Sequence, residues 1–170
     1  VCAGALAKKI IAPIGIHAHI QDEETVRQKA EEASRTGDSV GAVLEVQIHG
    51  VPTGLGEPWF DSVESLIAHA IFSIPGIKGI EFGAGFSAAL MLGSKYNDRL
   101  LDESGRTETN NDGGIAGGIS NGNDIIFRVS AKPTPSIGVP QLTYSFTEAK
   151  QAPLIVQGRH DACFALRLPP

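Results

Sequence analysis

Val40-Gly-Ala-Val-Leu-Glu-Val-Gln-Ile-His-Gly-Val51 carries apolar side chains at 40, 42, 44, 46 and 48. A period of two places them on one face of a strand, so this stretch lays down the first sheet. Downstream, Pro52-Thr-Gly-Leu-Gly-Glu-Pro58 is a turn-rich loop. Asp61 and Glu64 then form a capping-box pattern, and Val63, Leu66, Ile67, Ala70 and Ile71 recur at helical spacing until Ser73-Ile-Pro-Gly76. Residues 77–82 read as a second strand and 86–92 as a third. Upstream, 22–36 reads as a surface helix with Asp22 as N-cap, Gly37 as C-cap and a thin stripe of Val26, Ala30 and Ala33. Before it come a strand at 14–20, with His17 and His19 on one face, and a helix over 1–12 that stops near Pro13.

The second half is looser. Residues 93–113 are polar and irregular, which predicts a mobile segment, and Gly113-Gly-Ile-Ala-Gly-Gly-Ile-Ser-Asn-Gly122 reads as a glycine-rich loop. A strand at 124–131 leaves it and runs into Lys132-Pro-Thr-Pro-Ser136, with further strands expected at 141–147 and 153–157. Helices and strands alternate without a regular βαβ rhythm, so the fold class is α+β with antiparallel or mixed sheets. Nothing repeats internally.

The length of 170 residues suits a single domain with a real core. An apolar share of 42% and a mean hydropathy near zero fit a globular chain, while 20 Gly and 10 Pro assign much of it to turns. A net charge of −5, with the Lys and Arg residues scattered, argues against a nucleic-acid partner. No apolar run approaches the roughly 18–20 residues that span a membrane. Cys2 and Cys163 make neither a disulfide framework nor a metal site, which points to a reducing, cytoplasmic setting. His17 and His19 have no third ligand at suitable spacing, so no metal is expected. The chain begins and ends within what read as structured elements, and the expectation is a piece of a longer polypeptide.

Chemistry concentrates near the C-terminus. Gly158-Arg-His-Asp-Ala-Cys163 puts a guanidinium, an imidazole and a carboxylate in succession, a set able to hold an anion and move a proton. Lys132-Pro-Thr-Pro-Ser136 adds a cation and two hydroxyls on a stiffened segment, a composition that suits a phosphate or the edge of a flavin. The glycines of 113–122 let backbone amides approach a ligand, although no Gly-Lys-Ser/Thr follows and the stretch is not a P-loop. Two other motifs fail. Gly83-Ala-Gly85-Phe-Ser-Ala88 matches a loose dinucleotide fingerprint, but the residues after it are too few for a crossover helix. No Gly-x-Ser-x-Gly elbow supports a Ser-His-Asp hydrolase.

In order along the chain, eight stretches resemble the chorismate synthase family. They are Gly37-Asp-Ser-Val-Gly41, Gly50-Val-Pro-Thr-Gly-Leu-Gly-Glu-Pro58, Ser73-Ile-Pro-Gly-Ile-Lys-Gly79 and Glu81-Phe-Gly-Ala-Gly-Phe86. The others are Thr109-Asn-Asn-Asp-Gly-Gly-Ile115, Gly117-Gly-Ile-Ser-Asn-Gly122, Lys132-Pro-Thr-Pro-Ser-Ile137 and Gly158-Arg-His-Asp-Ala-Cys163. Residues 37–169 are covered almost without a break, and 1–9 resemble the family's alanine-rich helix.

The resemblance implies an anti-1,4-elimination that turns 5-enolpyruvylshikimate 3-phosphate into chorismate, a step of the shikimate pathway. It requires reduced FMN without net redox change, and NADPH only where the enzyme reduces its own flavin. It also implies a β-α-α-β sandwich and a homotetramer. Carried onto matching positions, Asp161 is the carboxylate near the flavin N5 that assists proton removal. Arg159 binds the anionic substrate or the flavin. Pro75, Gly76, Gly117, Lys132, Pro133, Thr134, Pro135 and Ser136 line the FMN. Free Asp titrates near pH 4, and desolvation against an apolar flavin face would make it a better base.

The chain also departs from the family. The Gly-x-Ser-His-Gly and Arg-Pro-Gly-His motifs, which supply the family's acid histidines, do not occur, so these 170 residues are expected to show no turnover. The arginine-rich stretch before the alanine-rich helix is missing too, as is a helix after the Arg-x-x-Pro pattern of 167–170. The family usually has more chain between 20 and 22, and Ala162 stands where it has Pro. Two readings compete with the enzyme: a non-catalytic flavin- or anion-binding module, and a dinucleotide-dependent oxidoreductase using 83–88.

Overall fold

The computed structural model describes residues 2–158 and 160–168. In order, the chain forms α1 (Cys2–Ile10), β1 (Gly15–Ile20), α2 (Glu23–Thr36), β2 (Ala42–His49), α3 (Val63–Phe72) and β3 (Ile77–Phe82). It continues through α4 (Gly93–Tyr96), β4 (Ile115–Ala116), β5 (Ile119–Ser120), β6 (Ile125–Ala131), β7 (Gln141–Ser145) and β8 (Lys150–Leu154). Short 3₁₀ helices lie at Trp59–Asp61, Gly85–Leu90 and Phe164–Arg167.

Four strands pair antiparallel in the order β1-β2-β6-β3, with β4-β5 and β7-β8 as separate two-stranded ribbons. The mixture of helices and antiparallel strands is the α+β class expected. The alternation in β2 is what joins the sheet. Leu44 lies level with Ile20 on β1 and Val129 on β6, and Val129 in turn faces Ile80 on β3. One turn of the pleat away, Val46, Phe127 and Phe82 form the next row, with the two Phe rings 5.5 Å apart. Onto this face α2 places Val26 and Ala30, and α3 places Val63, Ile67 and Ile71. Burying side chains the size of Leu44, Phe127 and Val129 stabilises the fold by about 1.5–3 kcal/mol each.

The opposite face is polar. His19, Glu45, Arg128 and Glu81 run across the four strands in one row, and Arg128 Nε lies 2.9 Å from Glu81 Oε1. His17 and His19 are both exposed on this side, as the strand pattern required.

Several local expectations are corrected. Residues 86–92 are not a strand: Gly85–Leu90 is a 3₁₀ helix, begun by the Phe86 N–H donating to Glu81 and by Ser87 bonding back to Ala84. Its alternating apolar residues imitate a strand, yet Phe86 and Leu90 are left almost fully exposed. The capping box is displaced by one residue. Ser62, not Asp61, is the N-cap of α3 and accepts from the Ser65 N–H. Asp22 occupies the N-cap position of α2 in a left-handed conformation without capping through its side chain. The glycine-rich 113–122 is a small hairpin, β4 and β5 joined by Gly117-Gly118. The last ribbon, at 141–145 and 150–154, places its second strand earlier than expected. Residues 93–113, read as irregular, contain the short α4 and a network of side-chain hydrogen bonds.

Candidate functional site

β6 ends at Ala131, and the chain turns at once into Lys132-Pro-Thr-Pro-Ser136. Three contacts fix that turn. The Lys132 N–H donates to the Gly76 carbonyl at 2.9 Å, which docks it on the loop after α3. Ser39 Oγ donates to the Thr134 carbonyl at 2.7 Å. The Gly138 N–H donates to the Gly37 carbonyl at 2.8 Å and closes the far side. Gly76 has a φ of 90° and lies under the Phe164 ring, where an added Cβ would sit 2.7 Å from Phe164 Cζ. Only Gly satisfies both the dihedral and the space.

The C-terminal segment arrives on the same side. The Val40 N–H donates to the Ala162 carbonyl at 2.7 Å, while Cys163 and Ala165 are buried in the core. Asp161 is thereby held at the surface of a cavity of about 490 Å³, which Thr134, Ser136, Gln157, His160 and Arg167 also line. Arg167 Nη2 lies 2.7 Å from Asp161 Oδ1. The pair engages one carboxylate oxygen of Asp161 at the wall of the cavity. Among the described residues, Thr134 Oγ1 is buried with no hydrogen-bond partner. An orphaned hydroxyl costs on the order of 1–3 kcal/mol unless something supplies its bond. A polar ligand edge in this cavity would do so, which fits the donor set to a flavin or an anion.

The expected site residues divide into three groups. Thr134, Ser136 and Asp161 meet at the cavity, with Lys132, Pro133 and Pro135 on the same turn and Pro75-Gly76 bonded to it. Gly117 lies elsewhere. It forms the β4–β5 turn with φ 59°, nothing within 4 Å of an added Cβ, and its neighbour Gly118 accepts from the Val63 N–H at the start of α3. Pro75-Gly76 follows the end of that ten-residue helix, so the two regions are separated by about 15 Å of helix. A ligand touching both must lie along α3. Arg159 is outside the described residues. The sequence reading missed Ser39, Val40 and Arg167 as supports. The polar pair Asp38-Ser39 between two glycines was the available signal, but no pattern within the chain shows what it faces.

A second polar cluster competes for attention. Asp98 accepts from Thr109 Oγ1 and from the N–H groups of Asn111 and Asp112. Burial works to raise its carboxyl, but these donors outweigh it and hold it below the usual range. Asp112 accepts from the Tyr96 hydroxyl, and that bond, helped by burial and nearby carboxylates, pushes the phenol up to about 12. Burial, with Asp112 beside it, raises Glu64. Asn110 and Asn123 bond to backbone on either side. The cluster satisfies itself and is a structural knot.

The fold also removes the dinucleotide reading. After β3, Gly83 and Gly85 lead into a 3₁₀ helix beside an antiparallel sheet, and among the described residues there is no parallel βαβ unit such as that reading needs. Among the described residues, no helix is long and apolar enough to cross a membrane, and no cluster of three His, Cys, Asp or Glu side chains could hold a metal.

Comparison with known proteins agrees with the eight motifs. The family profile described as chorismate synthase matches residues 16–170. The chorismate synthase of Chitinophaga pinensis is 51% identical over 99% of this chain and 52% of its own length. That of Methanosarcina mazei is 47% identical over 88% of this chain and 42% of its own. A solved structure titled "Crystal Structure of Chorismate Synthase" superposes with a TM-score of 0.68 at 31% identity, covering 78% of this chain and 54% of that one. The chain thus spans about half the length of the relatives it matches.

Proposed function

The chain belongs to the chorismate synthase family, and from that premise we propose that residues 1–170 form one domain, the flavin-facing part of a phosphate-eliminating lyase. The reaction is the anti-1,4-elimination of phosphate from 5-enolpyruvylshikimate 3-phosphate, giving chorismate. The observation that carries this reading is a single cavity lined by Asp161, Thr134 and Ser136, beside a buried Thr134 hydroxyl that has no hydrogen-bond partner among the described residues.

Reduced FMN, when bound, supplies electron density to the substrate ring while phosphate leaves, with no net redox change. The protein's part is binding and proton handling. Thr134 Oγ1 and the Ser136 hydroxyl offer hydrogen bonds to a polar edge of the flavin, and Lys132 adds a cation at the same turn. Pro133 and Pro135 stiffen that turn, so little entropy is lost on binding. The Pro75-Gly76 loop fixes its position from beneath. Arg167 holds one oxygen of Asp161, and Asp161, near the flavin N5, assists removal of the C6 proton. Arg159 follows Gly158 in the sequence and is assigned to the anionic substrate. Gly117 would meet the far end of an elongated ligand lying along α3. The setting we propose is cytoplasmic, and the assembled enzyme a homotetramer.

FMN titration of the chain, followed by flavin absorbance, tests the site. Saturable binding is expected, and the absence of binding overturns the reading. A phosphate-release assay with photoreduced FMN and 5-enolpyruvylshikimate 3-phosphate is expected to show no turnover by these residues alone, since the acid histidine motifs do not occur in them. Supplying a polypeptide that carries those motifs is expected to start it. In that assembly Asp161→Asn should keep FMN affinity and lose about 10²–10⁴-fold in rate, the span of a general base. Full turnover by Asp161→Asn would remove Asp161 from the chemistry.

A further inference from the structure

We propose that residues 37–41 are a positioning clasp in which Ser39 is the central residue, locking the flavin-binding turn and the Asp161 turn into one arrangement. The inference rests on the reading of the cavity as a flavin site. It adds a residue that neither touches the ligand nor takes part in the chemistry.

The clasp makes four contacts with two segments distant in sequence. Toward 131–138, the Gly37 carbonyl accepts from the Gly138 N–H at 2.8 Å, and Ser39 Oγ donates to the Thr134 carbonyl at 2.7 Å. Gly41 lies so close to the end of β6 that an added Cβ would stand 2.4 Å from the Ala131 carbonyl oxygen and 3.2 Å from Pro133 Cδ. Toward 160–163, the Val40 N–H donates to the Ala162 carbonyl at 2.7 Å. Ser39 and Val40 are neighbours, so the side-chain bond that holds Thr134 and the backbone bond that holds Ala162 come from adjacent residues. Asp38 braces Ser39 from the N-terminal side, its Oδ1 accepting from the Ser39 N–H at 2.8 Å.

A structural bond alone would not require this placement. Ser39 grips Thr134 by its backbone, and Thr134 is the residue whose hydroxyl is left without a partner. Fixing the carbonyl fixes the direction in which that hydroxyl leaves the chain. Val40 does the same for the residue next to Asp161. Orientation errors of an ångström at such groups are costly in binding and in rate.

The test compares Ser39→Ala and Ser39→Thr in the 170-residue chain by two measurements. The first is hydrogen exchange, which needs no ligand. In Ser39→Ala the Gly138 and Val40 amides should lose protection together, by about fivefold, the loss of one ordinary hydrogen bond. Amides in the centre of β6 should not change, and Ser39→Thr should match the wild type. Loss at only one of the two amides, at neither, or uniformly through β6 overturns the clasp. The second is FMN titration, where Ser39→Ala should bind about fivefold more weakly and Ser39→Thr should recover. A wild type that binds FMN alongside an equally tight Ser39→Ala also overturns it. A wild type that ignores FMN defeats the flavin reading instead, and hydrogen exchange alone then decides the clasp.

Discussion

The segments 95–124 and 132–138 look alike in composition, both built from glycine, polar side chains and turns, yet they use their polar groups in opposite ways. In the first, donors and acceptors are matched inward: Asp98 takes three donors, Tyr96 gives its hydroxyl to Asp112, and Asn123 bonds to the Gly105 carbonyl. In the second, the backbone is held from outside by Ser39, Gly76 and Gly37, and a buried side-chain hydroxyl is left over. Among the described residues the other buried polar side-chain atom without a hydrogen bond is Arg128 Nε, and that one has Glu81 as an ion-pair partner at 2.9 Å. Polar richness therefore does not mark a site. An ordered backbone with an unmatched side chain does, because the fold carries the cost of that group until a ligand removes it.

The contrast can be broken at either end. The largest effect should come from Asp98→Ala, which strands two backbone N–H groups and a hydroxyl at once. About 3 kcal/mol of stability should be lost in urea unfolding, with FMN affinity unchanged. A flavin affinity that falls with it would show that the two segments are coupled.

Gly41→Ala should come next. Its Cβ would stand 2.4 Å from the Ala131 oxygen, so the end of β6 must shift, at a cost of about 2 kcal/mol. Here FMN binding should weaken too, by about tenfold, since the displaced strand end leads straight into the binding turn.

Thr134→Val sharpens the comparison from the other side. It removes a hydroxyl that bonds nothing among the described residues, so stability should hold or rise by up to ~1 kcal/mol. FMN affinity should drop about fivefold. A loss of stability would mean that the hydroxyl already has a partner.

The smallest effects are in pH. Asp98 has a folded value below its unfolded one, so its contribution is full above about pH 4 and is lost as pH falls through the lowered value. Tyr96 has the reverse sign. Its phenol is raised to about 12, chiefly by the bond to Asp112, so its contribution holds below about pH 10 and fades as pH rises toward the raised value. Asp98→Asn should flatten the acid limb of a stability profile, and Asp112→Asn the alkaline one. In ultraviolet titration of the phenols, Asp112→Asn should bring Tyr96 back toward an ordinary value. A Tyr96 midpoint that ignores Asp112→Asn would break the assignment.

What the sequence determined by itself was what depends on local period and on side-chain type. The alternation in 14–20, 40–51, 77–82 and 124–131 marked all four strands of the main sheet, and the helical stripe of 63–71 marked α3, because a buried face imposes its spacing on the residues that fill it. The chemical inventory was legible for the same reason: Asp161 and the turn at 132–136 carry rare combinations of groups in short stretches. Tertiary structure decided everything that depends on what a residue meets. Phe86, Ala88 and Leu90 alternate like a strand, but Glu81 takes the Phe86 N–H, and among the described residues no strand pairs with them. The polar run 93–113 looked loose because its partners, such as Asp98 with Asn111 and Asp112, are spread over many residues. Ser39 stood in a stretch that resembles the family, but nothing in the sequence showed what it holds. It lies 95 positions from the carbonyl it holds, and a hydrogen bond between residues so far apart leaves no trace in local spacing. Only the closure of the sheet brings them together.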